Sequence, residues 1–183
     1  MLQPTPVPVA HLPPEGQKYS LSFPQEDVGA ALAEAGWEEV GAAAALTAEI
    51  RVLPAGSEVF VLGRLETRVA YRCVRCLGVF PAPVTAEVHA AFTREGAPEP
   101  GEWELRREDL DVQRIPGGTL DLSEVVAEQF FLELEPHPVC RPECRGLCPQ
   151  CGADRNRTAC RCAQAAQPSP FQALEAWGKA RRS

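Results

Sequence analysis

From Tyr19 onward, apolar and polar positions alternate over long stretches, the two-residue period of strands with one buried face. Tyr19, Leu21 and Phe23 share one side of a first strand, Gln17 to Phe23. Ala44, Leu46, Ala48, Ile50 and Val52 alternate with Ala45, Thr47, Glu49 and Arg51 to give another, ended by the turn Pro54-Ala-Gly-Ser57. Glu58 to Arg72 reads as a long strand with Val59, Val61, Leu65, Val69 and Tyr71 on one face. Arg64, Glu66, Arg68 and Arg72 take the other face, and Gly63 suggests a bulge. Val84, Ala86, Val88, Ala90 and Phe92 carry the next strand, and Asp111 to Ile115 a short one.

The period lengthens to that of a helix in two places. Val28, Ala31, Leu32 and Ala35 lie on one face of Gln25 to Trp37, which Gly36 terminates. Leu122, Val125, Val126, Gln129, Phe130 and Leu134 form a stripe within Asp121 to Leu134. There Asp121 is placed to cap the first turn and Glu124 to return the bond, while Pro136 and Pro138 forbid continuation. Phe171 to Arg181 reads as a further short helix with a basic end. The fold class expected is α+β: a twisted antiparallel sheet, a meander or partial barrel, with one or two packed helices and a C-terminal zinc knuckle.

Composition divides the chain. Residues 1–16 contain Pro4, Pro6, Pro8, Pro13 and Pro14 and read as a flexible N-terminus. Residues 17–139 form the α+β body, 140–162 a cysteine-rich knuckle, and 163–183 a tail with the short basic helix. No uninterrupted apolar run is long enough to span a bilayer, and no basic residue precedes the first apolar positions as in a signal peptide. A cytoplasmic, reducing setting without membrane attachment is therefore expected. The net charge is −7, but from Arg141 to Ser183 eight basic residues face three acidic ones, leaving −12 for the first 140 residues. Glutamates from Glu95 to Glu108 read as a solvated acidic loop.

The setting decides how the eight cysteines are read, since thiols at this density in a reducing compartment point to metal rather than disulfides. They run Cys73-Val-Arg-Cys76, Cys140-Arg-Pro-Glu-Cys144, Cys148-Pro-Gln-Cys151 and Cys160-Arg-Cys162. A CxxC turn holds two sulfurs on one edge of a tetrahedron, and a glycine just past it relieves the turn, as Gly152 does. Gly78 comes one residue late for that role. Chain order proposes Cys73, Cys76, Cys140 and Cys144 as one set, stapling the knuckle to the body, and Cys148, Cys151, Cys160 and Cys162 as a second, local one. A local set of Cys140, Cys144, Cys148 and Cys151 stays open, as do iron–sulfur ligation and replacement of a thiolate by His137. Four thiolates leave no open coordination position, so the expected cofactor is two structural zinc ions.

No nucleophile–base pair, phosphate-cradling loop or carboxylate pair stands out, so neither an enzyme nor a small-molecule substrate is expected. Arg145, Arg155, Arg157 and Arg161 in the knuckle are candidates for phosphate contact. Arg64, Arg68 and Arg72, with Arg75 in the first CxxC loop, form a second row, though Glu66 makes an ordinary solvated face an equal reading.

Tyr71-Arg-Cys-Val-Arg-Cys-Leu-Gly-Val-Phe-Pro81, Gly118-Thr-Leu-Asp-Leu-Ser-Glu-Val-Val126, Gly146-Leu-Cys-Pro-Gln-Cys-Gly152, Cys160-Arg-Cys162 and Pro168-Ser-Pro-Phe-Gln-Ala-Leu174 together resemble the bacterial YceD family. The resemblance implies a role in accumulation of 23S ribosomal RNA and assembly of the large subunit, with that RNA or a large-subunit ribosomal protein as partner. Family members that keep the early CxxC and a Cys or His near position 140, without the later knuckle, favour the split proposed above. An adaptor that touches only proteins, and a redox or zinc-stress sensor, are the rival expectations.

Overall fold

The computed structural model describes residues 2–94 and 112–162. The predicted acidic loop and the C-terminal tail with its helix lie outside the described residues.

Among the described residues, eight strands and two α-helices follow in the order β1 (Pro6–Pro8), β2 (Gln17–Phe23), α1 (Gln25–Glu34), β3 (Val40–Ala42), β4 (Leu46–Ala55), β5 (Glu58–Arg72), β6 (Val79–Thr93), β7 (Val112–Arg114), β8 (Thr119–Asp121) and α2 (Leu122–Leu132). The main sheet runs β2-β4-β5-β6-β7, and β3 also pairs β5. The fold is thus α+β around an open, mostly antiparallel sheet, as the alternation predicts. The exception is β7, which joins β6 in parallel. No helix among the described residues is long and apolar enough to cross a membrane.

β5 organises the sheet because its 15 residues outrun β4. β4 covers it from Glu58 to Glu66, and β3 takes over at Val69 to Tyr71. Where one partner gives way to the other, the buried Thr67 hydroxyl donates to the Ala45 carbonyl at 3.1 Å and the Ala43 N–H to the Arg68 carbonyl at 2.9 Å. These bonds take up polar groups that the change of strand partner would otherwise strand. Gly63 makes no bulge: the register runs unbroken through Arg64–Glu49, Gly63–Ile50 and Leu62–Arg51. Glycine is needed there because a Cβ would collide with the Glu49 carbonyl and the Ile50 side chain.

The inward positions Val59, Val61, Leu65, Val69, Ile50, Val52 and Val88 share one buried core with Leu122, Val126 and Phe130 of α2 and with Val28 and Leu32 of α1. The Pro-rich N-terminus, expected to be flexible, is part of this core. Val7 and Val9 are buried, and β1 pairs β8 with Val7 opposite Leu120. Pro6 and Pro8 are tolerated because a two-residue period turns Val7 inward and a two-stranded edge asks little of their missing N–H groups.

Asp121 ties this segment to α2. Its Oδ1 accepts from the N–H groups of Thr5 and Ser123, both at 2.9 Å, and from the Ser123 hydroxyl at 2.8 Å. Burial works to raise the Asp121 pKa, but these three donors outweigh it and hold the carboxyl below its ordinary 3.8. A depressed folded-state pKa adds stability that is fully present above the ordinary value and lost as the pH falls through the folded one. Asp121→Ala should cost about 1–2 kcal/mol of stability at pH 7. Asp121→Asn should keep most of it and flatten the acid limb below about pH 4. Denaturant titrations read both, and an unchanged Asp121→Ala midpoint would exclude the tie.

Candidate metal centres and arginine surface

The first CxxC is the end of the β5–β6 hairpin, residues 73–78, closed by Arg72 opposite Val79. The Leu77 N–H donates to the Cys73 carbonyl, and the Cys73 N–H to the Gly78 carbonyl, each at 2.9 Å. After α2 the chain returns to this hairpin end because the Tyr71 hydroxyl accepts from the Glu135 N–H at 3.1 Å and the Pro138 carbonyl from the Val74 N–H at 3.0 Å. That return delivers Cys140 and Cys144.

The sulfurs gather in two groups, Cys73, Cys76, Cys140 and Cys144, and Cys148, Cys151, Cys160 and Cys162, within each of which all Sγ atoms lie within 4.8 Å of one another. This is the chain-order split; the set of Cys140, Cys144, Cys148 and Cys151 does not come together. Cys73–Cys144 and Cys76–Cys140 are 3.8 Å apart, Cys151–Cys160 3.5 Å and Cys148–Cys160 3.4 Å. A zinc–sulfur bond of about 2.3 Å gives a tetrahedron edge of about 3.8 Å, so both groups have the size of a four-thiolate metal site. Disulfides, at about 2.05 Å, are excluded. Either group can hold a metal ion.

Charge within the groups is uneven. Burial pushes the Cys73 thiol up, but backbone N–H groups of Cys140, Cys76 and Arg75 and the Cys76 side chain more than offset it, lowering it to about 6. Cys148 is lowered to about 6, chiefly by the N–H groups of Cys151 and Gln150. Cys140 is pushed up to about 12 by burial and by its three neighbouring sulfurs, and Cys162 to about 12 by Cys160, Cys151 and burial. Four anions at this spacing repel one another, and a divalent cation at the centre is what lets all four ionise. Asn156 adds an amide donor to Cys144 Sγ at 3.4 Å while its Oδ1 accepts from the Arg145 N–H at 2.9 Å.

The two loops are clasped through Arg75. Its carbonyl accepts from the Leu147 N–H at 3.0 Å, and its guanidinium donates to the carbonyls of Pro142 at 3.0 Å and Cys144 at 3.2 Å. Gly146, at φ +68°, lets the chains approach this closely, since a Cβ would sit 2.8 Å from the Arg75 carbonyl oxygen. Beyond it Leu147 bridges Asp154, Gly152 N–H closes on the Cys148 carbonyl at 2.8 Å, and the second group is complete.

The structure sorts the eight arginines. Arg75 faces the clasp. Arg64 lies in register between Glu49 and Glu87, and Arg72 pairs with Glu39, so acidic residues flank the one and an ion pair engages the other. Arg68 is exposed opposite Pro83. Arg145 and Arg155 come together with Arg141 and Asn156 around an open cleft of about 420 Å³, in which Glu143 is the one carboxylate. Arg157 pairs with Asp154 at 3.4 Å, and Arg161 is exposed between Cys160 and Cys162. Arg141 and Asn156 were not singled out from sequence. Arg141 was visible only as part of the basic excess, and Asn156 gave no sign, because its role depends on how two loops meet.

The chain is 38% identical over 110 residues to an uncharacterized protein of Mycobacterium tuberculosis (strain ATCC 25618 / H37Rv), covering 60% of this chain and 51% of that one. It is 28% identical over 109 residues to an uncharacterized protein of Mycobacterium leprae (strain TN), covering 60% and 48%. The chain thus spans about half the length of the curated relatives it matches. No solved structure matches it. The family model described as large ribosomal RNA subunit accumulation protein YceD matches residues 61–176, a span that takes in most of β5, all of β6 and α2, and all eight cysteines. More than half of the chain is covered, and the protein belongs to the YceD family.

Proposed function

We propose that this protein is a non-enzymatic, cytoplasmic zinc-binding factor that supports accumulation of 23S rRNA and assembly of the large ribosomal subunit. The observation that carries the reading is the juxtaposition of two four-sulfur groups with the cleft of Arg141, Arg145 and Arg155, in a chain of the YceD family. Cys73, Cys76, Cys140 and Cys144 would hold one zinc ion and Cys148, Cys151, Cys160 and Cys162 the other. Bound there, zinc supplies charge compensation and folding free energy on the order of 10 kcal/mol per site, and no reaction. The arginines then present a fixed cationic face to phosphates. Residues 140–162 contain no aromatic side chain, so contact through the RNA backbone suits this surface better than stacking on unpaired bases.

Native mass spectrometry of the purified chain should find two zinc ions. A Cys160→Ser, Cys162→Ser variant should keep one together with the strand and helix signals of the body. A metal-free chain with the same fold would contradict the zinc reading. Ultraviolet crosslinking in cells should recover large-subunit rRNA, and Arg141→Ala, Arg145→Ala and Arg155→Ala combined should lower recovery about tenfold or more, with a shallower salt dependence in vitro. Equal recovery with those arginines replaced would exclude the surface.

A further inference from the structure

The two CxxC loops meet one geometric demand with different residues. Just past the second cysteine the backbone enters the left-handed region so that its N–H can close on the first cysteine's carbonyl. Gly152 does this at φ +70°, and Leu77 does it at φ +58°. Glycine adopts that conformation freely, whereas leucine is strained there, its Cβ crowding the carbonyl that follows. Leu77 is the one non-glycine residue with positive φ among the described residues. Nor does burial offset the strain: Leu77 is 52% exposed, with Val74 at 51% and Val79 at 67% beside it in the same hairpin end. The turn accounts for the backbone angle but not for the choice of leucine, and a large apolar side chain left in water where glycine would serve points to a contact made with something else.

What surrounds it defines that contact. Val74, Leu77, Trp37, Val40, Pro136 and Pro138 line a groove of about 540 Å³. Its mouth carries Glu38, Glu39 and Glu135, all exposed, against Arg72, which Glu39 already engages. The groove is therefore apolar inside and acidic at the rim, on a body whose first 140 residues sum to −12. A phosphate backbone is repelled here. A protein segment with lysines or arginines around an apolar residue is matched twice, by the floor and by the rim.

We propose that this groove docks an extended basic segment of a protein partner, its apolar side chain set against Leu77 and Trp37 and its cationic groups against Glu38 and Glu135. The site is separate from the arginine cleft, and it stands or falls independently of RNA binding. It gives the first CxxC loop two outward tasks, with Arg75 holding the knuckle and Val74 and Leu77 receiving the partner.

The test is an array of peptides tiling the proteins of the large ribosomal subunit, together with a peptide of residues 168–183 of this chain, probed with the full-length, zinc-loaded protein. Retained peptides should combine lysine or arginine with leucine, valine, phenylalanine or proline. Leu77→Gly should weaken that binding tenfold or more and at the same time raise the thermal midpoint by about 2–4 °C through relief of strain. Glu38→Lys with Glu135→Lys should weaken binding to a similar extent while leaving RNA crosslinking intact. A lower midpoint for Leu77→Gly would make the leucine a packing residue and overturn the proposal. So would peptide binding that ignores Leu77→Gly, which would mean charge alone. Retention of the 168–183 peptide alone would assign the groove to the chain's own C-terminal segment and overturn it equally.

Discussion

At the tip of the β5–β6 hairpin, four sulfurs and the two ends of Arg75 draw together stretches of chain more than sixty residues apart. Cys73 and Cys76 arrive on the longest hairpin of the sheet; Cys140 and Cys144 arrive after α2, on a segment already held by Tyr71 and Val74. The site on the body is thus prepared by the fold before any metal is considered. Half of its ligands ride on a sheet whose core is independent of them. The Arg75 carbonyl then accepts the Leu147 N–H, and that contact sets where the loop of the second group begins.

The second group stands on different ground. Between residues 140 and 162 the buried side chains are those of Cys144 and Cys148, far too little apolar surface to offset the entropy of ordering the segment. Backbone bonds from Cys148 to Ala153, Gly152 to Cys148 and Arg155 to Gly146 shape the loop, but a cation at its centre is the natural source of the missing free energy. The same division governs charge. Two of the sheet's outward arginines have acidic neighbours, Arg64 beside Glu49 and Glu87 and Arg72 paired with Glu39, whereas the knuckle gathers Arg141, Arg145 and Arg155 around one cleft with Glu143 as its carboxylate. An acidic body and a cationic appendage suit a protein that meets partners of two kinds.

Much of this was legible in the chain. The alternation along Gln17–Phe23, Leu46–Val52, Glu58–Arg72 and Val84–Phe92 reports a sheet with one solvated face, and the stripe from Leu122 to Phe130 a helix on it. The cysteine order also anticipates how the sulfurs group. What escaped depends on contacts far apart in sequence. β3 is three residues long and exists because β5 outruns β4; β1 is hidden among prolines; the parallel pairing of β7 leaves no local trace. Sequence shows the strand arginines on one face with Glu66 and leaves a binding row and a solvated face as equal readings, because the acidic neighbours of Arg64 and Arg72 come from other segments. Leu77 looked unremarkable because its backbone angle, not its identity, is the anomaly.

The eight sulfurs divide into a set shared between body and knuckle and a set private to the knuckle. Cadmium NMR of the metal-exchanged protein reads that partition directly, since each four-thiolate site gives its own resonance. Two resonances are predicted, one removed or shifted by Cys73→Ser and by Cys140→Ser, the other by Cys148→Ser and by Cys160→Ser. A resonance that responds to both Cys140→Ser and Cys148→Ser while ignoring Cys73→Ser would contradict it, for the knuckle would then hold its metal without the sheet.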